Sequence, residues 1–184
     1  IMNASPASLC TSPTACGLLG YVSSADMLPT AVRPKSNARE MFVMNGSHFG
    51  RALYLEVLAH EFRHMIEENH DRNDIDWSVE GSAMLAEDLL GFSREAINRG
   101  NQFLRSPDQQ LNRWTDGASA AYYGQGYLLS RYLYNRLGPD LYRDYARHPL
   151  PGLRAVDAIA EANGLPFTGL SLWLDWQTAL AIHT

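Results

Sequence analysis

At 184 residues, 46% of them hydrophobic, the chain is long enough to bury a substantial core as one domain, and no apolar run approaches the length of a membrane span. Fifteen basic against twenty acidic side chains give a formal charge of −5. No Lys/Arg cluster of the kind that tracks a phosphate backbone occurs, so nucleic acid is not expected as a partner.

The chain begins at Ile1 with neither a charged n-region nor an apolar h-region, and on this reading any targeting segment is absent from it. Its two cysteines, Cys10 and Cys16, lie in CTSPTAC, where the short spacing suits a small disulfide loop in an oxidising compartment; a pair of reduced thiols is the alternative. Residues 1–50 are rich in Ser, Pro and Gly, with GLLGYV and REMFVMN predicted as strands of a small sheet. From Arg51 the spacing turns helical. Leu55, Leu58, Phe62 and Met65/Ile66 form one apolar stripe on a helix of about five turns that ends near ENHDRND. A second helix is predicted from near Ser78, with Leu85, Ala86, Leu89 and Leu90 on its apolar side and Gly91 as its C-terminal cap. AAYYGQGYLLSRYLYNRLG, PDLYRDYAR, LRAVDAIAEANG and LSLWLDWQTALAIH continue the helical pattern, broken by Gly or Pro. Trp77, Trp114, Trp173 and Trp176 are expected to supply burial within or between the two halves.

His60, Glu61 and His64 form H-E-x-x-H on the first helix. At 100° per residue the two histidines stand about 40° apart on one face, where two imidazoles one turn apart can bind a single Zn²⁺. The adjacent Glu61 can then reach a water at the metal without ligating the metal itself. The plain alternative is the wet face of an amphipathic helix. Two groups compete for the third ligand. His70 has the spacing of a longer histidine motif, but Glu67 stands where that motif needs a glycine to turn the chain. Glu80, in DWSVEGSA on the second helix, would complete a His₂Glu set and is preferred.

HEFRHMI followed by WSVEG and AEDLLG resembles the gluzincin clan of zinc metallopeptidases, and most closely the secreted bacterial neutral metallopeptidases of the hyicolysin type. The likeness extends more weakly through GYVSSADMLP, SNAREMFVMN, YYGQGYLLSRYL and LWLDWQTAL. It implies an α+β, mainly helical, zincin-like fold forming a single catalytic domain over 1–184. Its upper lobe, 1–91, would hold a small sheet and the zinc-binding helices, and 92–184 would form a helical lower lobe. By position it implies His60, His64 and Glu80 as zinc ligands and Glu61 as general base. Tyr123, three residues before Gly126, would stabilise the oxyanion, with Tyr122 as the alternative. Where some relatives carry an aspartate four residues after the glutamate ligand, this chain has Met84. Glu87 could orient a ligand in its place, although an ordinary surface carboxylate is the expected reading of such a residue.

The expected activity is zinc-dependent endopeptidase cleavage of a peptide or protein substrate, in a secreted or periplasmic setting by resemblance, with oligomeric state open. MFVMN could add an extended substrate to the sheet edge or be an ordinary strand. From another class comes a non-catalytic, zinc-containing binding or inhibitor-like module, for which His70 or Asp76 would close the site as a fourth ligand.

Overall fold

A computed structural model describes residues 1–12, 14, 16–70, 73–114 and 119–183. Pro13 and Ala15 of CTSPTAC and Asp71 and Arg72 of ENHDRND lie outside the described residues. The architecture is mainly helical with one small sheet.

The N-terminal part carries β1 (Met2–Ala4), the short α1 (Pro6–Leu9), β2 (Gly20–Val22), the short α2 (Ser24–Met27) and β3 (Phe42–Asn45). Strand order is β1-β3-β2, with β1 parallel to β3 and β2 antiparallel to it, in the register Tyr21↔Val43. Phe42, Val43, Met44 and Asn45 are all buried. A fully buried run with partners on both sides is an interior strand. The reading of MFVMN as a substrate-pairing edge is therefore corrected: among the described residues β2 is paired on one side alone. Cys10 and Cys16 form the expected disulfide, and the Asn45 amide anchors the segment after it by donating to the Leu18 carbonyl at 2.9 Å.

Long helices follow. The run ALYLEVLAHEFRHMIEENH contains no Gly or Pro and many strong helix formers, and it builds α3 (Ala52–His70). Tyr54 and Val57 pack on Phe42 and Met44, with Leu58 and Met65 beside them, and the Tyr54 hydroxyl donates to Asn3 Oδ1 at 2.6 Å. The predicted stripe holds in part: Leu58 and Met65 pack on this cluster, whereas Leu55, Phe62 and Ile66 are 46%, 48% and 38% exposed, because α3 lies between the sheet and α4 and those two contacts select the buried faces.

The second predicted helix is α4 (Asp76–Leu89). It closes as expected at Gly91, whose φ of 86° suits a left-handed residue there. The Phe92 N–H reaches the Glu87 carbonyl and the Gly91 N–H the Asp88 carbonyl, the paired bonds of a Schellman end. Beyond it come α5 (Arg94–Arg105), α6 (Ala120–Tyr145), α7 (Leu153–Ala162) and α8 (Gly169–His183). The predicted break at Gly138-Pro139 is a kink within α6, with Gly138 at φ 77°. Trp77, Leu85, Phe103, Leu129, Leu133, Val156, Leu172 and Trp176 form the main core, and Phe103 stacks on Trp176 at 6.0 Å. Each such side chain contributes about 1.5–3 kcal/mol by its burial.

Candidate metal centre

α3 and α4 lie side by side, and their facing residues are ionisable. His60 and His64, one turn apart on α3, both aim Nε2 at Glu80 Oε2 of α4, at 3.1 and 3.5 Å. One ligand atom from each of the three lies within 4.8 Å of the others. Two donors about 2.0–2.2 Å from a shared tetrahedral ion stand roughly 3.3–3.6 Å apart. The two histidine–glutamate separations lie near that edge, so His60, His64 and Glu80 form a group that could hold a metal ion. His70 lies exposed at the end of α3 and Asp76 is exposed at the start of α4; neither belongs to the group.

Glu87 overturns the surface expectation. It is 3% exposed, and its Oε1 lies 2.7 Å from His60 Nδ1. Seven residues separate it from Glu80, which on a helix is two turns and nearly the same face. Nε2 of the same ring faces Glu80, and a carboxylate at Nδ1 is the arrangement that orients a metal-ligating imidazole. Of the two readings its place on the Glu80 face allowed, an orienting group or a surface carboxylate, the contact with His60 favours the first.

The electrostatics follow from burial. Withdrawal from water alone would push the His60 imidazolium down, but hydrogen bonds to Glu80 and Glu87 outweigh it and raise its pKa from 6.5 to about 9. Burial would likewise raise the Glu80 carboxyl, and the two histidines override it, lowering the pKa to about 2. Glu61, 7% exposed, is raised above its ordinary value by burial, despite the two imidazoles and a hydrogen bond from the Val22 backbone of β2.

Tyr123 comes to the same place from α6. Its ring centroid is 6.3 Å from that of His60 and 4.9 Å from that of Trp114, and the Arg99 guanidinium lies 4.2 Å above its ring. Burial first, then the Glu80 charge, pushes its phenol up to about 12, so it stays a hydrogen-bond donor at neutral pH. Tyr122 packs on the same Trp114, with ring centroids 5.8 Å apart, but lines neither of the cavities beside the metal group. The glycines of YYGQG explain how α6 gets so close. A Cβ on Gly124 would overlap the Arg99 carbonyl, and one on Gly126 would lie 2.6 Å from the Trp77 carbonyl.

A cavity of about 180 Å³ borders His60, Glu61, Glu87 and Tyr123, and a second of about 210 Å³ borders His64 and Glu80. Gly20 lines the first and Val22 the second, so β2 runs along both. No protein-family model matches the chain, and no curated protein matches it in sequence.

Proposed function

We propose that this protein is a zinc-dependent peptidase of gluzincin type, acting within peptide chains. The observation that carries the reading is the convergence of two Nε2 atoms on Glu80 Oε2, at 3.1 and 3.5 Å, with a buried carboxylate behind His60 and a second one, Glu61, beside the group. His₂Glu is a catalytic zinc set that leaves one position open, whereas structural zinc sites are normally closed by four protein ligands and rich in cysteine. Both cysteines here are committed to the disulfide.

Zinc held by His60, His64 and Glu80 would supply Lewis acidity, polarising the scissile carbonyl and acidifying the attacking water. Glu61 takes the proton of that water and delivers it to the leaving amine, a role helped by a pKa raised towards the working pH. The Tyr123 hydroxyl donates to the oxygen that becomes negative as the carbonyl carbon turns tetrahedral. His60 is kept in the productive tautomer by Glu87. β2, with its unpaired side along the two cavities, is the edge on which an extended substrate would add as a strand. The mainly helical fold with its sheet packed on α3 suits a zincin, and the disulfide suits secretion or the periplasm. No described helix is long and apolar enough to cross a membrane.

The test is a cleavage time course on an unfolded protein substrate, with zinc content measured in parallel for the wild type and Glu61→Gln. Loss of about a hundredfold to ten-thousandfold in rate at about one zinc per chain is expected. Undiminished cutting would remove Glu61 from its role, and zinc without cutting in either protein would favour the non-catalytic binding module.

A further inference from the structure

The two cavities beside the metal group differ in the state of their carboxylates. On the His64 side, Glu67 is paired with Arg63 at 3.0 Å, and Asp74 is consumed by the backbone N–H groups of Ile75 and Gly152 and by the Ser78 hydroxyl. On the Glu61 side, three carboxylates from three helices line the cavity: Glu56 of α3, Glu87 of α4 and Glu95 of α5, whose Oε1 lies 4.0 Å from the Arg94 guanidinium and accepts from the Asn98 amide at 3.5 Å. Glu56 and Glu87 are 5% and 3% exposed. Oε2 of Glu87 has no hydrogen-bond partner among the described residues, although its sister oxygen holds His60.

Burying a carboxylate oxygen without a donor is costly, and placing further carboxylates around it adds repulsion. The Glu56 carboxyl is raised by burial and then by the charges of Glu87 and Glu95, with Arg94 opposing. One cation, Arg99, lines the cavity too; it lies over the Tyr123 ring, and its charge favours the Glu87 carboxylate. Leu19, Leu53, Val57 and Met84 line the same cavity. Carboxylates interleaved with aliphatic side chains around about 180 Å³ of space match a positively charged head on a short aliphatic stem.

We infer that this cavity is a subsite for a primary ammonium group of the substrate, carried by a lysine side chain or by the peptide's amino terminus. An ammonium offers three donors and no acceptor, which meets the unpartnered Glu87 oxygen and the neighbouring Glu56 and Glu95 carboxylates together. Because His60 and Glu61 border the same cavity, the bound cation fixes the substrate beside the reacting bond. The choice of a peptide as the carrier rests on the peptidase reading; the affinity for an ammonium does not.

The test is therefore a binding titration on the full zinc-loaded chain, which needs no turnover. n-Butylammonium is compared with neutral 1-pentanol, followed by NMR shifts of the α5 amides, in the wild type and in the isosteric variants Glu56→Gln and Glu95→Gln. Saturable shifts with the ammonium alone are expected, weakened about tenfold or more in Glu56→Gln. Should Glu56→Gln not fold, Glu95→Gln at the rim carries the comparison, with a smaller loss expected. Equal response to amine and alcohol overturns the subsite, and so does ammonium binding indifferent to both variants, as uptake by the metal itself would be. Peptide cleavage then separates the carriers. Faster cutting of an N-acetylated lysine peptide than of its norleucine analogue assigns the side chain, and faster cutting of a free-amine peptide than of its acetylated form assigns the terminus. Ammonium binding without cleavage of any peptide refutes the peptidase and keeps the subsite, whereas cleavage without ammonium binding does the reverse.

Discussion

On one side of α4, Trp77, Gly81 and Leu85 meet α6 through apolar contact and a backbone approach so close that a Cβ on Gly81 would overlap the Gly126 carbonyl. On the other, Glu80 and Glu87 meet α3 through two carboxylates against two imidazoles. The first contact stabilises by removing carbon from water. The second removes charges from water, and mutual hydrogen bonding offsets only part of the cost. One helix thus carries a face that holds the fold and a face of ionisable groups. The expensive face is the one that could hold a metal ion, and costly polar burial of this kind is a recurrent mark of sites.

Mutations separate the two faces. The largest effect is expected from Gly81→Ala. At an exposed helix position that change would stabilise by about 1 kcal/mol, yet here the added methyl meets backbone that cannot yield as a side chain can, and a loss of about 3 kcal/mol is expected in urea unfolding. A variant as stable as the wild type would show that α4 and α6 do not approach so closely. A smaller effect, of different kind, is expected from Glu87→Gln, which keeps the shape but removes the charge behind His60. Zinc affinity, read by competition with a chelator, should fall about tenfold to a hundredfold. Unchanged affinity would remove Glu87 as the group that orients His60.

The same contrast governs what the sequence disclosed. α3, α4, the C-cap at Gly91 and the break at Gly138-Pro139 are written in local spacing and in residues of special backbone preference, which need no tertiary partner to be read. His60, Glu61, His64 and Glu80 were legible because the motif places them on helices whose phase is known. The buried face of α3 was legible only at Leu58 and Met65. Leu55, Phe62 and Ile66 look like a core stripe, but the face that enters the interior is chosen by what packs on the helix, and the sheet and α4 selected Tyr54, Val57 and the histidines. β1 escaped notice because a three-residue strand has almost no periodicity, and β3's interior position depends on a partner forty residues earlier. Glu87 was misjudged because frequencies of exposure describe an average glutamate, not one opposite a histidine.

Proton linkage gives the subtlest way to tell the faces apart. In chelator-stripped protein the His60 pKa is raised from 6.5 to about 9, so its contribution to stability is complete below 6.5 and is lost as pH rises through about 9. Glu80, lowered from 4.5 to about 2, contributes above 4.5 and loses that contribution as pH falls through about 2. The α3 face of α4 is therefore at full strength between those two ordinary values and weakens on either side. A metal competes for the same atom that holds the proton, His60 Nε2, so uptake near neutral pH should release about one proton, and affinity should rise about tenfold per pH unit until His60 is neutral. Calorimetry in buffers of different ionisation enthalpy reads that proton directly. Release of none would mean that His60 is already neutral and that the Glu80 contact is a hydrogen bond between an imidazole N–H and a carboxylate rather than an ion pair. The α6 face supplies the control: Gly81→Ala removes packing and no titrating group, so its cost in stability should stay constant across the pH range in which the α3 face weakens.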